Sequence, residues 1–112
     1  RGPVRKAKRK DITIKNGDTV YLMIPYKSGI TYFYGGAQNN VYMWDYVEGD
    51  DKQKWKIWKE KGVDGDDIRS GDKVKFENVN YPNYYLFEPG GNYLGIQATS
   101  KDVAASWVIE IK

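Results

Sequence analysis

The segment Gln38-Asn39-Asn40-Val41-Tyr42-Met43-Trp44-Asp45-Tyr46 sets large flat rings among short amide and carboxylate side chains. That pairing suits a sugar. One face of a sugar ring is a sheet of C–H groups that stacks on tyrosine or tryptophan, and its hydroxyls need planar amide or carboxylate partners. On an extended strand Asn40, Tyr42, Trp44 and Tyr46 share one face, while Val41, Met43, Asp45 and Val47 share the other. The aromatic face is therefore either core or stacking platform, because the opposite face offers Val41, Met43 and Val47 as a rival core. Asn39, Asn40, Tyr42, Trp44, Asp45 and Tyr46 are the candidate ligand residues here. A later segment, Asn92-Tyr93-Leu94-Gly95-Ile96-Gln97, is poorer in aromatics and adds Asn92 and Tyr93. Tyr81-Pro82-Asn83-Tyr84-Tyr85 adds Tyr84 on an expected loop, where tyrosines serve recognition or simply pack an edge.

Much catalytic chemistry is excluded. The chain has no His and no Cys, so it lacks an imidazole base, a thiol nucleophile and the usual ligands of zinc. Disulfides cannot reinforce its core. Asp45, Glu48, Asp50 and Asp51, and again Asp64, Asp66 and Asp67, offer carboxylates. Paired carboxylates hydrolyse glycosides in other settings. Neither acidic group has the spacing of a calcium-binding EF-hand loop. Solvated acidic loops are the expected reading, with no catalysis, no cofactor and no metal.

The net charge of +3 conceals two opposite parts. Arg1, Arg5, Lys6, Lys8, Arg9 and Lys10 give the first ten residues a charge of +6, with no acid among them. The remaining 12 basic residues face all 15 acidic ones, so residues 11–112 carry −3. Residues 1–11 read as a basic flexible arm, and residues 12–112 as a single domain. Arg5, Lys6, Lys8, Arg9 and Lys10 are candidates for contact with a polyanion such as heparin or nucleic acid. The acidic body continues no basic groove, so nucleic acid is not the favoured ligand. No apolar run approaches the roughly 18 residues of a membrane-spanning helix. The first residue is Arg rather than Met, which reads as a processed product or an excised domain.

These residues must be held by strands. Two stretches align in order along most of the chain. Ile14-Lys-Asn-Gly17-Asp18-Thr-Val20-Tyr-Leu22 matches Ile68-Arg-Ser-Gly71-Asp72-Lys-Val74-Lys-Phe76, 54 residues later. Tyr32-Phe33-Tyr34 matches Tyr85-Leu86-Phe87, Asn40-Val41-Tyr42 matches Asn92-Tyr93-Leu94, and Trp55-Lys-Ile57 matches Trp107-Val-Ile109. The repeats span residues 12–58 and 66–111. Gly-Asp turns separate β-rich runs. Strands are expected over 19–24, 30–34, 40–47 and 53–58, then over 73–79, 84–87, 92–97 and 105–111. No long window shows helical apolar spacing. Trp55, Ile57, Trp107, Ile109, Val20, Leu22, Val74, Phe76, Leu86 and Leu94 form the expected core.

The order Gly-Asp-x-Val, Tyr-Leu, a glycine turn and Trp-x-Ile resembles a leaf of the β-trefoil superfamily. Gln53-Lys54-Trp55 looks like the Gln-x-Trp motif of ricin-B-type lectins, whereas Ala105-Ser106-Trp107 keeps only the tryptophan. The resemblance implies an all-β, β-trefoil-like fold of two tandem repeats of about 50 residues. A small pseudo-twofold β-barrel or sandwich is the alternative. It implies a non-catalytic lectin-like module that binds a glycan or glycoprotein, as part of a secreted, toxin-like assembly. A complete trefoil has three leaves, and two are recognisable here. A homo-oligomer or a partner chain is therefore expected to complete the fold, which gives a second functional reading: a structural β domain that acts through interaction.

Overall fold

A computed structural model of the chain describes residues 13–26, 29–36, 39–91 and 93–110. Arg5, Lys6, Lys8, Arg9, Lys10 and Asn92 lie outside the described residues. Among those described there is no α-helix, and so none long and apolar enough to cross a membrane.

The chain is all-β, in two antiparallel sheets. Its strands are β1 (Thr19–Val20), β2 (Met23–Tyr26), β3 (Gly29–Gly35), β4 (Val41–Trp44), β5 (Trp55–Lys59), β6 (Lys73–Asn78), β7 (Tyr84–Gly90), β8 (Tyr93–Ala98) and β9 (Trp107–Val108). The larger sheet runs β1-β5-β6-β7-β8, with β9 also paired to β6. The smaller sheet runs β2-β3-β4.

The sequence dictates the turns that start each half. Gly17 and Gly71 adopt φ of +95° and +94°, a left-handed backbone that side chains disfavour. The aspartate after each glycine closes the turn. Asp18 Oδ2 accepts from Lys15 N at 2.8 Å, and Asp72 Oδ2 accepts from Arg69 N at 2.8 Å. Each glycine N–H then donates to a distant carbonyl, Gly17 to Ile57 and Gly71 to Ile109, both at 2.8 Å. The tryptophans match as well. Trp55 Nε1 donates to the Phe33 carbonyl and Trp107 Nε1 to the Leu86 carbonyl, both at 3.2 Å. A buried indole N–H needs such an acceptor. Val20 pairs with Trp55 as Val74 pairs with Trp107, and Phe33 pairs with Met43 as Leu86 pairs with Ile96. This register sets Val41 and Tyr42 in the places of Leu94 and Gly95, one residue on from the sequence match of Asn40-Val41-Tyr42 with Asn92-Tyr93-Leu94.

The core consists of Trp55, Ile57, Ile68, Val74, Phe76, Leu86 and Ile96, with Val20, Leu22, Leu94, Trp107 and Ile109 packed partly buried against it. Burial of an aliphatic side chain such as Ile57 contributes about 1.5–3 kcal/mol.

Some strand bounds differ from the sequence expectation. The strand expected over 40–47 ends at Trp44, because Gln53 draws the following loop back. Gln53 is fully buried; its Nε2 donates to the Asp45 carbonyl at 2.7 Å and its Oε1 accepts from Val47 N at 2.9 Å. Asp51–Gln53 forms a 3-10 turn where a strand start was expected, capped by Asp50, whose Oδ1 accepts from Lys52 N at 3.0 Å. The expected strand 19–24 breaks at Tyr21 and Leu22 into β1 and β2. The strand expected over 105–111 is reduced to Trp107–Val108.

Candidate functional site

The β3–β4 register sets Tyr32 opposite Trp44 and Tyr34 opposite Tyr42, so four rings share one face of the smaller sheet. That face points outward. Tyr42 is 49% and Trp44 58% exposed, while Val41 and Met43 on the other face are half-buried and Val41 packs on the core. Of the two orientations left open by alternation, inward or outward, Tyr42 and Trp44 take the outward one. Gly36 leaves room for the Tyr42 ring: a Cβ there would collide with the ring's Cε2. Close packing against backbone limits how far the ring can swing.

Tyr46 reaches the same region from the loop after β4 rather than from the strand. Its ring meets Tyr21 at 5.7 Å and Tyr32 at 5.4 Å between centroids, and Tyr21 meets Tyr32 at 5.9 Å. Such edge and tilted contacts are favourable for aromatic pairs. Tyr46 Oη donates to Glu48 Oε1 at 3.1 Å. Its hydrogen bond with Tyr21, then the one to Glu48, pushes its pKa up to about 12. Gln53 holds the loop through the backbone on both sides of Tyr46, giving the glutamine of Gln-x-Trp a positioning role.

Polar groups surround the rings. Tyr34 Oη donates to Asp50 Oδ2 at 3.0 Å, and that bond raises the phenol's pKa above its ordinary value. Lys52 Nζ lies 5.8 Å from the Tyr34 centroid. Asn40 Nδ2 donates to Tyr42 Oη at 3.4 Å. Asn39, at φ +65°, and Asp45 are exposed. Trp44 stands between two shallow recesses. One, of about 300 Å³, is lined by Tyr34, Tyr42 and Trp44. The other, of about 490 Å³, is lined by Thr31, Met43, Trp44 and Asp45.

The remaining candidates fall elsewhere. Tyr84 packs edge-on against Tyr81 at 6.1 Å, and both rings lie partly buried on the core. Tyr85 is buried. Tyr93 is exposed at the start of β8. An isolated bridge joins Asn40 to Gly95 of β8, and a Cβ at Gly95 would sit 2.9 Å from the Asn39 carbonyl oxygen. Asn39 and Asn40 therefore lie against the second half, two residues along the chain from Tyr93.

Tyr21, Tyr32, Tyr34 and Asp50 were not singled out from sequence as site residues. The signal lay in the strand register, which aligns Tyr32 with Trp44 across β3 and β4. The acidic loops also differ from expectation. Asp66 Oδ2 accepts from Val63 N at 3.0 Å, and Asp67 pairs with Lys15 at 2.6 Å, which holds the Asp67 carboxyl below its usual range. These carboxylates brace loops, as Asp50 does. Among the described residues no cluster of His, Cys, Asp or Glu is arranged to hold a metal ion.

Comparison with known proteins finds no matching family model, no matching curated protein and no matching solved structure.

Proposed function

We propose that the chain is a non-catalytic, lectin-like module whose first half binds a carbohydrate or the glycan of a glycoprotein on the face of Tyr42 and Trp44. The observation that carries this reading is the outward aromatic face itself. Exposed rings braced by neighbours and rimmed by amides and carboxylates suit the C–H face and the hydroxyls of a sugar. Trp44 is the stacking residue, with Tyr42 and Tyr46 extending the surface. Asn39, Asn40 and Asp45 take hydroxyls. In this reading the two halves are tandem β-trefoil-like leaves, a view supported by the Gly-Asp turns and tryptophan bonds that recur between them.

A glycan array probed with the parent chain and with Trp44→Ala tests the proposal. The parent binds a defined set of glycans, and the variant loses that binding while keeping its melting temperature, because Trp44 contributes little to the core. Undiminished binding by the variant removes Trp44 from the site. No binding by the parent to any glycan overturns the proposal.

A further inference from the structure

Among the described residues the strand pairing leaves two complementary edges open. β5 pairs on one side with β1 and on the other with β6, and β6 is flanked in turn by β5 and by β9 with β7. β9 stands to the second half as β5 stands to the first, yet among the described residues it pairs only with β6. β1 and β2 stand to the first half as β6 stands to the second. Among the described residues they pair with β5 and β3, and nothing occupies the edge that β6 gives to β5.

Burial follows the same division. At the filled seam Trp55, Ile57 and Val74 are buried, whereas Trp107, Ile109 and Val20, their counterparts at the open edges, are only partly covered. Between the open edges lies an apolar recess of about 460 Å³ whose walls include Leu22, Phe33, Phe76, Leu86, Leu94 and Trp107.

Side-chain chemistry separates the seams most clearly. At the filled seam Lys56 lies opposite Glu77, a charge pair on neighbouring strands. The counterparts at the open edges are Val108 and Met23, 68% and 56% exposed. Continuing the β5–β6 register would set Val108 against Met23, Ile109 against Leu22 and Trp107 against Ile24. Every one of these pairs is apolar. Unpaired strand edges recruit other strands unless charge protects them, and here charge is replaced by exposed apolar groups.

We propose that two copies of the chain associate by laying β9 of each along the open β1–β2 edge of the other. The arrangement is self-complementary under a twofold axis, because each copy carries both edges once. It gives β9 and β1 the kind of neighbour that β5 and β6 already have, and it covers the recess. This inference rests on strand pairing and is independent of glycan binding.

The test is the mass of the full chain in solution, by light scattering and sedimentation from low to high micromolar concentration. The expected mass is twice 12.9 kDa. Val108→Lys and Met23→Glu each weaken association by about tenfold or more. Combined, they rebuild across the interface the Lys56–Glu77 pairing and recover association. Both positions are exposed, so each variant keeps its cooperative melt. A single-chain mass at every concentration overturns the proposal, as does Val108→Lys associating as tightly as the parent. The glycan array is a separate readout, so either proposal can fail alone.

Discussion

The two halves share their turns and their tryptophan bonds but differ at the third strand. Tyr34 lies opposite Tyr42 in the first half, and Phe87 lies opposite Gly95 in the second. Tyr32 faces Trp44, whereas Tyr85 faces Gln97. The glutamine two residues before the closing tryptophan is present as Gln53 and replaced by Ala105. One half thus has an outward aromatic face and a clamp for the loop beside it, and the other has neither. Gly95 is small for a reason visible in the fold: the Asn39 carbonyl approaches it. The common scaffold depends on residues that neither half can lose, while the outward positions of the third strand are free to diverge.

The largest difference between the halves is expected at the tryptophans. Trp55 is fully buried and Trp107 only partly, although they make the same hydrogen bond. Trp55→Ala should cost about 3–5 kcal/mol, and Trp107→Ala distinctly less, by urea denaturation. Equal costs would mean that the open edge is already as well packed as the filled one.

Gln53→Ala comes next. It strips partners from the Asp45 carbonyl and the Val47 amide, and such loss costs about 1–3 kcal/mol. Hydrogen exchange at Val47 should accelerate, and glycan binding should weaken as Tyr46 loses its support. Unchanged exchange would show that the loop holds itself.

The matched turns offer a finer test. Alanine at Gly17 or Gly71 meets the same positive φ, at a cost of about 1–2 kcal/mol. A Cβ at Gly17 would also press on Trp58 at 3.3 Å, while Gly71 faces open space. Gly17→Ala should therefore be the more destabilising of the two, by thermal denaturation.

The smallest effect concerns Tyr46. Its folded pKa of about 12 lies above the ordinary phenol value of 10.0, so the folded chain holds the proton more tightly than the unfolded chain. The resulting stability is complete below pH 10 and fades as pH rises towards about 12. An ultraviolet titration of the parent against Tyr46→Phe should place this phenol among the last to ionise. Ionisation of this phenol near the ordinary value of 10.0 would argue against the Tyr21–Tyr46 bond.

What the sequence discloses follows from how local each cause is. Gly17-Asp18 and Gly71-Asp72 are legible because a turn residue and its closing carboxylate are neighbours. Trp55 and Trp107 are legible because large rings mark the interior in both halves. The end of β4 at Trp44 is not legible, since it depends on Gln53 acting across eight residues of chain. Alternation also leaves the facing of Tyr42 and Trp44 undecided, because Val41 and Met43 make an equally apolar opposite face. The meeting of Tyr21, Tyr32 and Tyr46 depends on pairing between segments far apart in sequence. Asp50 and Asp67 resemble solvent-facing acids until their partners, Tyr34 and Lys15, are brought beside them.

The four indoles report directly on which surface meets the sugar. Trp55, Trp58 and Trp107 each donate to a protein acceptor, and Trp44 makes no such bond among the described residues. Isotope-labelled chain titrated with the strongest glycan from the array should show the Trp44 indole resonance moving saturably, with Trp55 and Trp107 unmoved. Saturable shifts centred on Trp107 or Tyr93, with Trp44 still, would place the sugar on the wrong half and contradict the account.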